Sequence, residues 1–412
     1  MRLFFVTGAA SITLTFVRSV ALLPTLFVLL ALAVPISSQT KASASFADVA
    51  AKAEAARDAE RLDEALTLYQ EALVLRPLWA EGWWTVGTIQ YDRNAYAEAA
   101  RAFQRVVALA PRNGTAYAML GLCEFELGRD TLALQHIQKS KSIGLHEDEA
   151  LRNVVLYHEG VLLQREGSFQ AAQETLEQLC LRGGKGDEIA NALGMTMLRL
   201  TRKDSLPRGS ADADVVLRIG RAECLAGQKK FDEARPAFEA VVKQYPNYPN
   251  IHYAFGLFLL GSYDVPGGVE QLKQEVDNNP NHVMAHLRIA ASLYKVDSAA
   301  GIPYAEKAVK LAPRMGFAHY LLGLLLLDTN NYQRAIPELE IARKSLPREA
   351  KLYFALGSAY SRAGRKEDAT RARAMFERLT REGVASAHDG EEAGLRGTVQ
   401  DKVGAKSTEP PQ

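Results

Sequence analysis

A histidine followed by glutamate opens the zinc-protease helix, in which two histidines one turn apart hold the metal and the glutamate activates water. This chain contains His146-Glu147 and His158-Glu159, but neither glutamate is followed three residues later by a second histidine. His282 and His286 lie one turn apart, a spacing that could clamp a metal, yet no nearby cysteine or carboxylate completes the ligand set. Ser292-Leu293-Tyr294-Lys295 has the serine–lysine spacing of an acylating nucleophile without that motif's partner sequences. Gly183-Gly184-Lys185-Gly186 puts a lysine among glycines, as phosphate loops do. It lacks the earlier glycine and the trailing Ser/Thr, so it reads as a turn with Asp187 as N-cap. Asn113-Gly114-Thr115 is a glycosylation sequon, with meaning only in a eukaryotic secretory pathway. No nucleophile–base pair or metal set is complete. The sequence therefore predicts no catalytic residue, no metal and no cofactor, and the chain reads as a non-enzyme.

The elements that carry these residues repeat. Units begin at 46, 80, 114, 153, 187, 215, 249, 283, 316 and 350, mostly 34 residues apart. The eighth residue of every unit is small, for example Gly87, Gly121, Gly256 and Gly323, and the twentieth usually is, as at Ala99, Ala133 and Ala335. Two helices of a hairpin approach closely only where side chains are small. Prolines such as Pro77, Pro111, Pro246, Pro280, Pro313 and Pro347 close units by stopping the second helix. The fourth position holds Trp83, Tyr117 and Tyr353 in some units and His252, His286 and His319 in others. Histidine there is expected to replace an aromatic ring in inter-helix packing.

The spacing and marks resemble the tetratricopeptide repeat family. Trp83, Val86, Gly87, Tyr96, Ala97, Ala99, Phe103 and Pro111 fit its pattern, as do His319, Tyr320, Leu322, Gly323, Tyr332, Ala335 and Pro347. The resemblance covers about 46–383. It implies an all-α solenoid of helical hairpins wound as a right-handed superhelix, with first helices lining the concave side. The unit at 187 departs from the pattern. Its helix runs into Asp204-Ser205-Leu206-Pro207-Arg208-Gly209, a loop by composition, and a new helix starts near Asp212. The organisation expected is an N-terminal array at 46–203, a linker at 204–214, a C-terminal array at 215–383 ending in a charged capping helix, and a disordered tail at 384–412. The linker is expected to be the weakest link. Pro236, Pro303 and Pro337 fall near second-helix starts and are expected to be tolerated.

On a helix, the second, fifth, ninth and twelfth residues of each unit share the face opposite the packed stripe. They place Trp84, Tyr91, Phe125 and Tyr157 on one inner stripe with Tyr253, Leu257 and Leu260. Tyr320, Leu324, Leu327 and Phe354 continue it. A continuous apolar stripe with aromatic anchors suits a partner's apolar helix or extended segment. The C-terminal half, with Tyr253, Tyr320 and Phe354 in register, is expected to hold the main groove. The function expected is a non-catalytic scaffold for a protein or peptide partner, ahead of an enzyme accessory. The Lys, Arg and Asn pattern with which some members grip a terminal carboxylate is missing, since Arg165, Arg199, Lys295 and Arg362 are scattered.

Residues 1–38 carry Arg2 and Arg18 but no acidic residue, an apolar run from Val20 to Val34, and a small-residue exit at Ser37-Ser38. This is the pattern of a secretory signal, so export to a periplasm or the exterior is expected. The alternative is an uncleaved anchor, which makes a membrane-held assembly or envelope-maintenance subunit, and only then is a membrane involved. Lys+Arg number 49 and Asp+Glu 48, so no strong field advertises a nucleic-acid partner. Three cysteines, Cys123, Cys180 and Cys224, are too few for a disulfide scaffold. They read as small buried hydrophobes or as one bridge plus a free thiol, with the pairing open.

Overall fold

The computed structural model describes residues 45–382, apart from 146–148, 202–205 and 208. The predicted export segment at 1–38 and tail at 384–412 lie outside the described residues, as does part of 204–214. The described helices lie in the compact unit that begins at Phe46.

Nineteen helices and no strand occur among the described residues, arranged as a solenoid of antiparallel hairpins. The first hairpins are α1 (Phe46–Asp58) with α2 (Leu62–Leu75), α3 (Ala80–Asp92) with α4 (Tyr96–Leu109), and α5 (Gly114–Glu126) with α6 (Asp130–Ile143). Next come α7 (Glu149–Glu166) with α8 (Phe169–Leu181), then α9 (Asp187–Met197) without a second helix of its own. The rest are α10 (Ala211–Gly227) with α11 (Phe231–Gln244), α12 (Ile251–Gly261) with α13 (Val265–Asn278), and α14 (Val283–Leu293) with α15 (Ser298–Leu311). Last are α16 (Gly316–Asp328) with α17 (Tyr332–Ser345) and α18 (Ala350–Arg362) with α19 (Lys366–Arg381). Each first helix starts within about one turn of its predicted unit start, and α11, α15 and α17 run on through Pro236, Pro303 and Pro337.

Small residues set the spacing inside each hairpin. A Cβ on Gly121 would lie 2.8 Å from Ile137 Cγ1, and one on Gly323 2.6 Å from Leu339. The turn between helices uses one left-handed residue, which Gly128 (φ 68°) and Gly364 (φ 76°) supply without steric cost. Tyr263 (φ 66°) takes the same conformation as a bulky, 89% exposed residue.

The junction at α9 is more tightly joined than the sequence suggests. Although α9 has no second helix, α10 packs directly on it while also pairing with α11. A Cβ on Gly220 would collide with the Ala190 carbonyl, and one on Gly194 with the Val216 carbonyl, so the two backbones all but touch. Cys180 of α8 and Cys224 of α10 form a disulfide, which ties the helices flanking α9 together. Cys123 is a buried free thiol, its pKa pushed up to about 12 by that burial. In place of a second helix of its own unit, α9 is covered by α10, whose first turn already includes 211–214.

Candidate functional site

The histidines that could do chemistry are engaged in holding the stack. Pro246, Pro280 and Pro313 end their units, and their carbonyl oxygens accept hydrogen bonds from Nε2 of His252 (2.8 Å), His286 (3.0 Å) and His319 (3.1 Å). Trp83 Nε1 does the same to Pro77 (2.9 Å) and the Tyr353 hydroxyl to Pro347 (2.9 Å). A helix end leaves carbonyls unpaired, and a ring with a donor at its tip satisfies one from the next unit. In these five units the fourth position holds a ring donor, and Trp, His and Tyr fill that role alike. His282 caps α14 by accepting from the Ala285 amide at Nδ1 (3.1 Å), so His282 and His286 have separate structural tasks. His158 donates from Nδ1 to the Val154 carbonyl (2.7 Å), and burial depresses its pKa to about 4. Glu159 pairs with Lys141 (2.5 Å) and Lys295 with Asp328 (2.5 Å). Among the described residues, no three His, Cys, Asp or Glu side chains gather to hold a metal.

The inner stripe divides into an open and a closed part. In the N-terminal units Trp84, Tyr91, Phe125 and Tyr157 are all half-buried, each packed against the core cluster of its own hairpin or the next. Trp84 meets Phe103 edge-on (5.4 Å), Tyr91 meets Tyr96 (5.4 Å), and Phe125 and Tyr157 flank His158 at 4.6 and 5.2 Å.

In the C-terminal half the expectation of a groove fails for its central anchors. Tyr253 is 1% exposed, Tyr320 0% and Leu324 3%, so these three are core. The reason lies in α16, whose residues from Gly316 to Leu326 are buried on every face. A helix apolar all round must be covered all round, and α14, α15, α17 and α18 pack about it. Tyr253 packs against His282 with the rings tilted (4.6 Å) and borders a cavity of about 20 Å³ with Met197, Arg199 and Arg288, room for a single water. Leu257, Leu260 and Leu327 remain half-buried at the edge of this core. Phe354, in the last unit, is 42% exposed and leans on Phe376 of α19 (5.6 Å).

Charge also differs along the stripe. Arg165 lies 4.6 Å over the Phe125 ring and 3.4 Å from Asp130, and Arg199 lies 4.6 Å over Phe169 and 5.6 Å over Tyr253. One and two units earlier the same thirteenth position holds Glu126 and Asp92. Both are exposed by surface area, yet desolvation by the protein around them raises both carboxyls above their usual range. Burial, with the Glu126 charge second, raises Tyr91 as well.

Sequence reasoning missed a polar knot beside the disulfide. Gln173 donates from Nε2 to Glu223 (2.6 Å) and Glu177 (2.7 Å). Burial first, and Glu177 second, hold the Glu223 carboxyl well above the usual carboxylate range. A glutamate at the ninth position, where Leu122, Val161, Leu257 and Leu324 stand in other units, was the available signal.

A tetratricopeptide repeat family model matches residues 50–111, 85–144, 293–340 and 320–382, and a second one matches 215–248. Among curated proteins the chain is similar to Superkiller protein 3 of Schizosaccharomyces pombe, 24% identical over 149 residues. That match takes in 34% of this chain and only 11% of the relative's length. Among solved structures it is similar to MamA, at 21% identity, with 39% of this chain and 95% of that chain covered and a TM-score of 0.37. It is likewise similar to MamA from Desulfovibrio magneticus RS-1, at 24% identity, 41% and 96% coverage, and a TM-score of 0.38.

Proposed function

The chain belongs to the tetratricopeptide repeat family, and from that premise we propose a non-catalytic, exported scaffold that seats an apolar helix or extended segment of a partner protein. The repeat architecture is that of a protein-interaction scaffold. The seat we infer is the N-terminal part of the inner stripe. The observation that carries this is the row of half-buried rings Trp84, Tyr91, Phe125 and Tyr157 on successive first helices. Rings fixed on one side and accessible on the other supply apolar area at little cost in side-chain entropy.

The test selects binding segments from a displayed random-peptide library against the full chain. Tyr91→Ala with Phe125→Ala should weaken the selected peptides at least about 30-fold, since anchors cost over about 2 kcal/mol each. Far-ultraviolet circular dichroism should stay unchanged. Affinity retained in that variant would place the partner elsewhere.

The Cys180–Cys224 bridge supports export, because disulfides persist in oxidising compartments. The apolar segment before Pro24 supports the second reading, a subunit anchored by an uncleaved N-terminus. Intact mass of the protein recovered from cells separates the two. Loss of the N-terminal segment supports a free exported chain, and its retention supports the anchored subunit.

A further inference from the structure

We propose that the segment seated on the open stripe is basic as well as apolar, with a lysine or arginine side chain against Tyr91, Asp92 and Glu126. This rests on the groove reading above and names the chemistry of the partner. The ground for it is the arrangement one unit further on. There Phe125 is covered by Arg165, the thirteenth residue of the following unit, at 4.6 Å. Tyr91 holds the same twelfth position as Phe125, and the residue in the place of Arg165 is Glu126. One aromatic ring has an internal guanidinium, and its equivalent has a carboxylate.

Arg165 offsets part of the Glu126 desolvation from a distance, and its close partner is elsewhere. Arg165 pairs with Asp130 (3.4 Å) and Arg93 with Asp63 (2.6 Å). Further along, Lys295 pairs with Asp328, and Arg362 with Asn330. Desolvation raises both the Asp92 and Glu126 carboxyls, the cost of holding a charge where water is thinned. A partner's ammonium or guanidinium would offset that cost and meet the Tyr91 ring face at the same time. The rings anchor the apolar side of the segment, and the two carboxylates, one unit apart, fix its charged side.

The experiment uses the full chain and three fluorescein-labelled 16-residue probe peptides with one Leu/Phe face. Their polar faces are all Lys, all Gln or all Glu. Anisotropy at low salt should show the Lys peptide binding at least tenfold tighter than the Gln peptide, with the Glu peptide weakest. Asp92→Asn with Glu126→Gln should bring the Lys peptide to the affinity of the Gln peptide and leave the Gln peptide unchanged. The advantage of the Lys peptide should shrink toward 1 M salt, where screening is strongest. A Lys peptide with its Leu and Phe positions scrambled should bind poorly, which separates the site from general attraction of a cation. Equal binding of Lys and Gln peptides, both weakened by Tyr91→Ala, overturns this inference and keeps the groove. A Lys preference that survives the double variant also overturns it. Absence of binding by all three peptides overturns it together with the groove reading.

Discussion

The two halves of the inner stripe carry the same kinds of residue at the same repeat positions and end in opposite states. From α13 to α19, with Tyr253 of α12, the buried residues form one large hydrophobic core ending at Leu379, and a second runs from Met197 of α9 to Leu259 of α12. From α1 to α9 the core breaks into separate clusters, one per hairpin or hairpin junction. Tyr320 and Trp84 both occupy a fifth position, yet Tyr320 is fully buried and Trp84 half-buried. A fifth-position ring is therefore core or surface according to its neighbours' bulk. Where α16 carries Phe, Tyr and Leu on every face, the inner surface closes around it, and it opens again at Phe354 of α18. Where α3 carries Thr88 and Asp92 and α5 carries Glu126 beside the rings, those rings stay half-buried. The repeat marks fix each hairpin, and the residues between the marks decide whether the hairpins leave a seat.

Truncating a ring in each half is the most forceful way to break this contrast. Tyr320→Ala should cost about 3–5 kcal/mol in urea unfolding, as for other large buried aromatics. Trp84→Ala should cost about 1–2 kcal/mol. Equal losses would erase the distinction between core and seat.

Next in size is the join between the halves. Cys180→Ser with Cys224→Ser, or reduction, opens a bridge with a sequence separation of 44 and should cost about 2–4 kcal/mol. If the halves are energetically distinct, the variant's unfolding should broaden or split, because repeat stability is a sum of units and interfaces. A sharp transition at the wild-type midpoint would show that α9 and α10 hold the junction without the bridge.

Acid should act on the open half. His158 is depressed from 6.5 to about 4 in the folded chain, so the folded state resists a proton that the unfolded chain accepts. Its contribution is fully present above about pH 6.5 and is lost as pH falls toward 4, by up to roughly 3 kcal/mol. His158→Gln should flatten that part of the stability–pH curve relative to wild type. An unchanged slope between about pH 6.5 and 4 would mean that other groups govern acid loss.

The smallest effect concerns the ring donors. His286→Phe keeps the ring and removes the hydrogen bond to Pro280, and should cost about 1 kcal/mol. No loss at all would reduce the fourth position to shape alone.

Much of the fold was legible in the sequence. Gly87, Gly121 and Gly323 marked the helix crossings, and Pro77, Pro246 and Pro347 marked the unit ends, because each acts within its own hairpin. The stripe was legible as a pattern and not as a surface. Trp84, Tyr91, Phe125 and Tyr157 are half-buried on it, while Tyr253, Tyr320 and Leu324 had to be reassigned to the core. Histidine at the fourth position was expected to pack, and its donor role to the preceding proline emerged only from the placed ring.

The sequence by itself determined the number of units, their boundaries, the missing second helix after 187 and the small-residue contacts of each hairpin. These depend on sterics and hydrogen bonding between residues at short, repeating separations, so periodicity encodes them directly. The tertiary structure alone decided which half of the stripe is open, that α10 closes over α9, and that Cys180 pairs with Cys224 rather than Cys123. Those outcomes depend on how each unit seats against the next. That seating is set by the summed bulk of side chains from several helices, a quantity that no single spacing in the chain records.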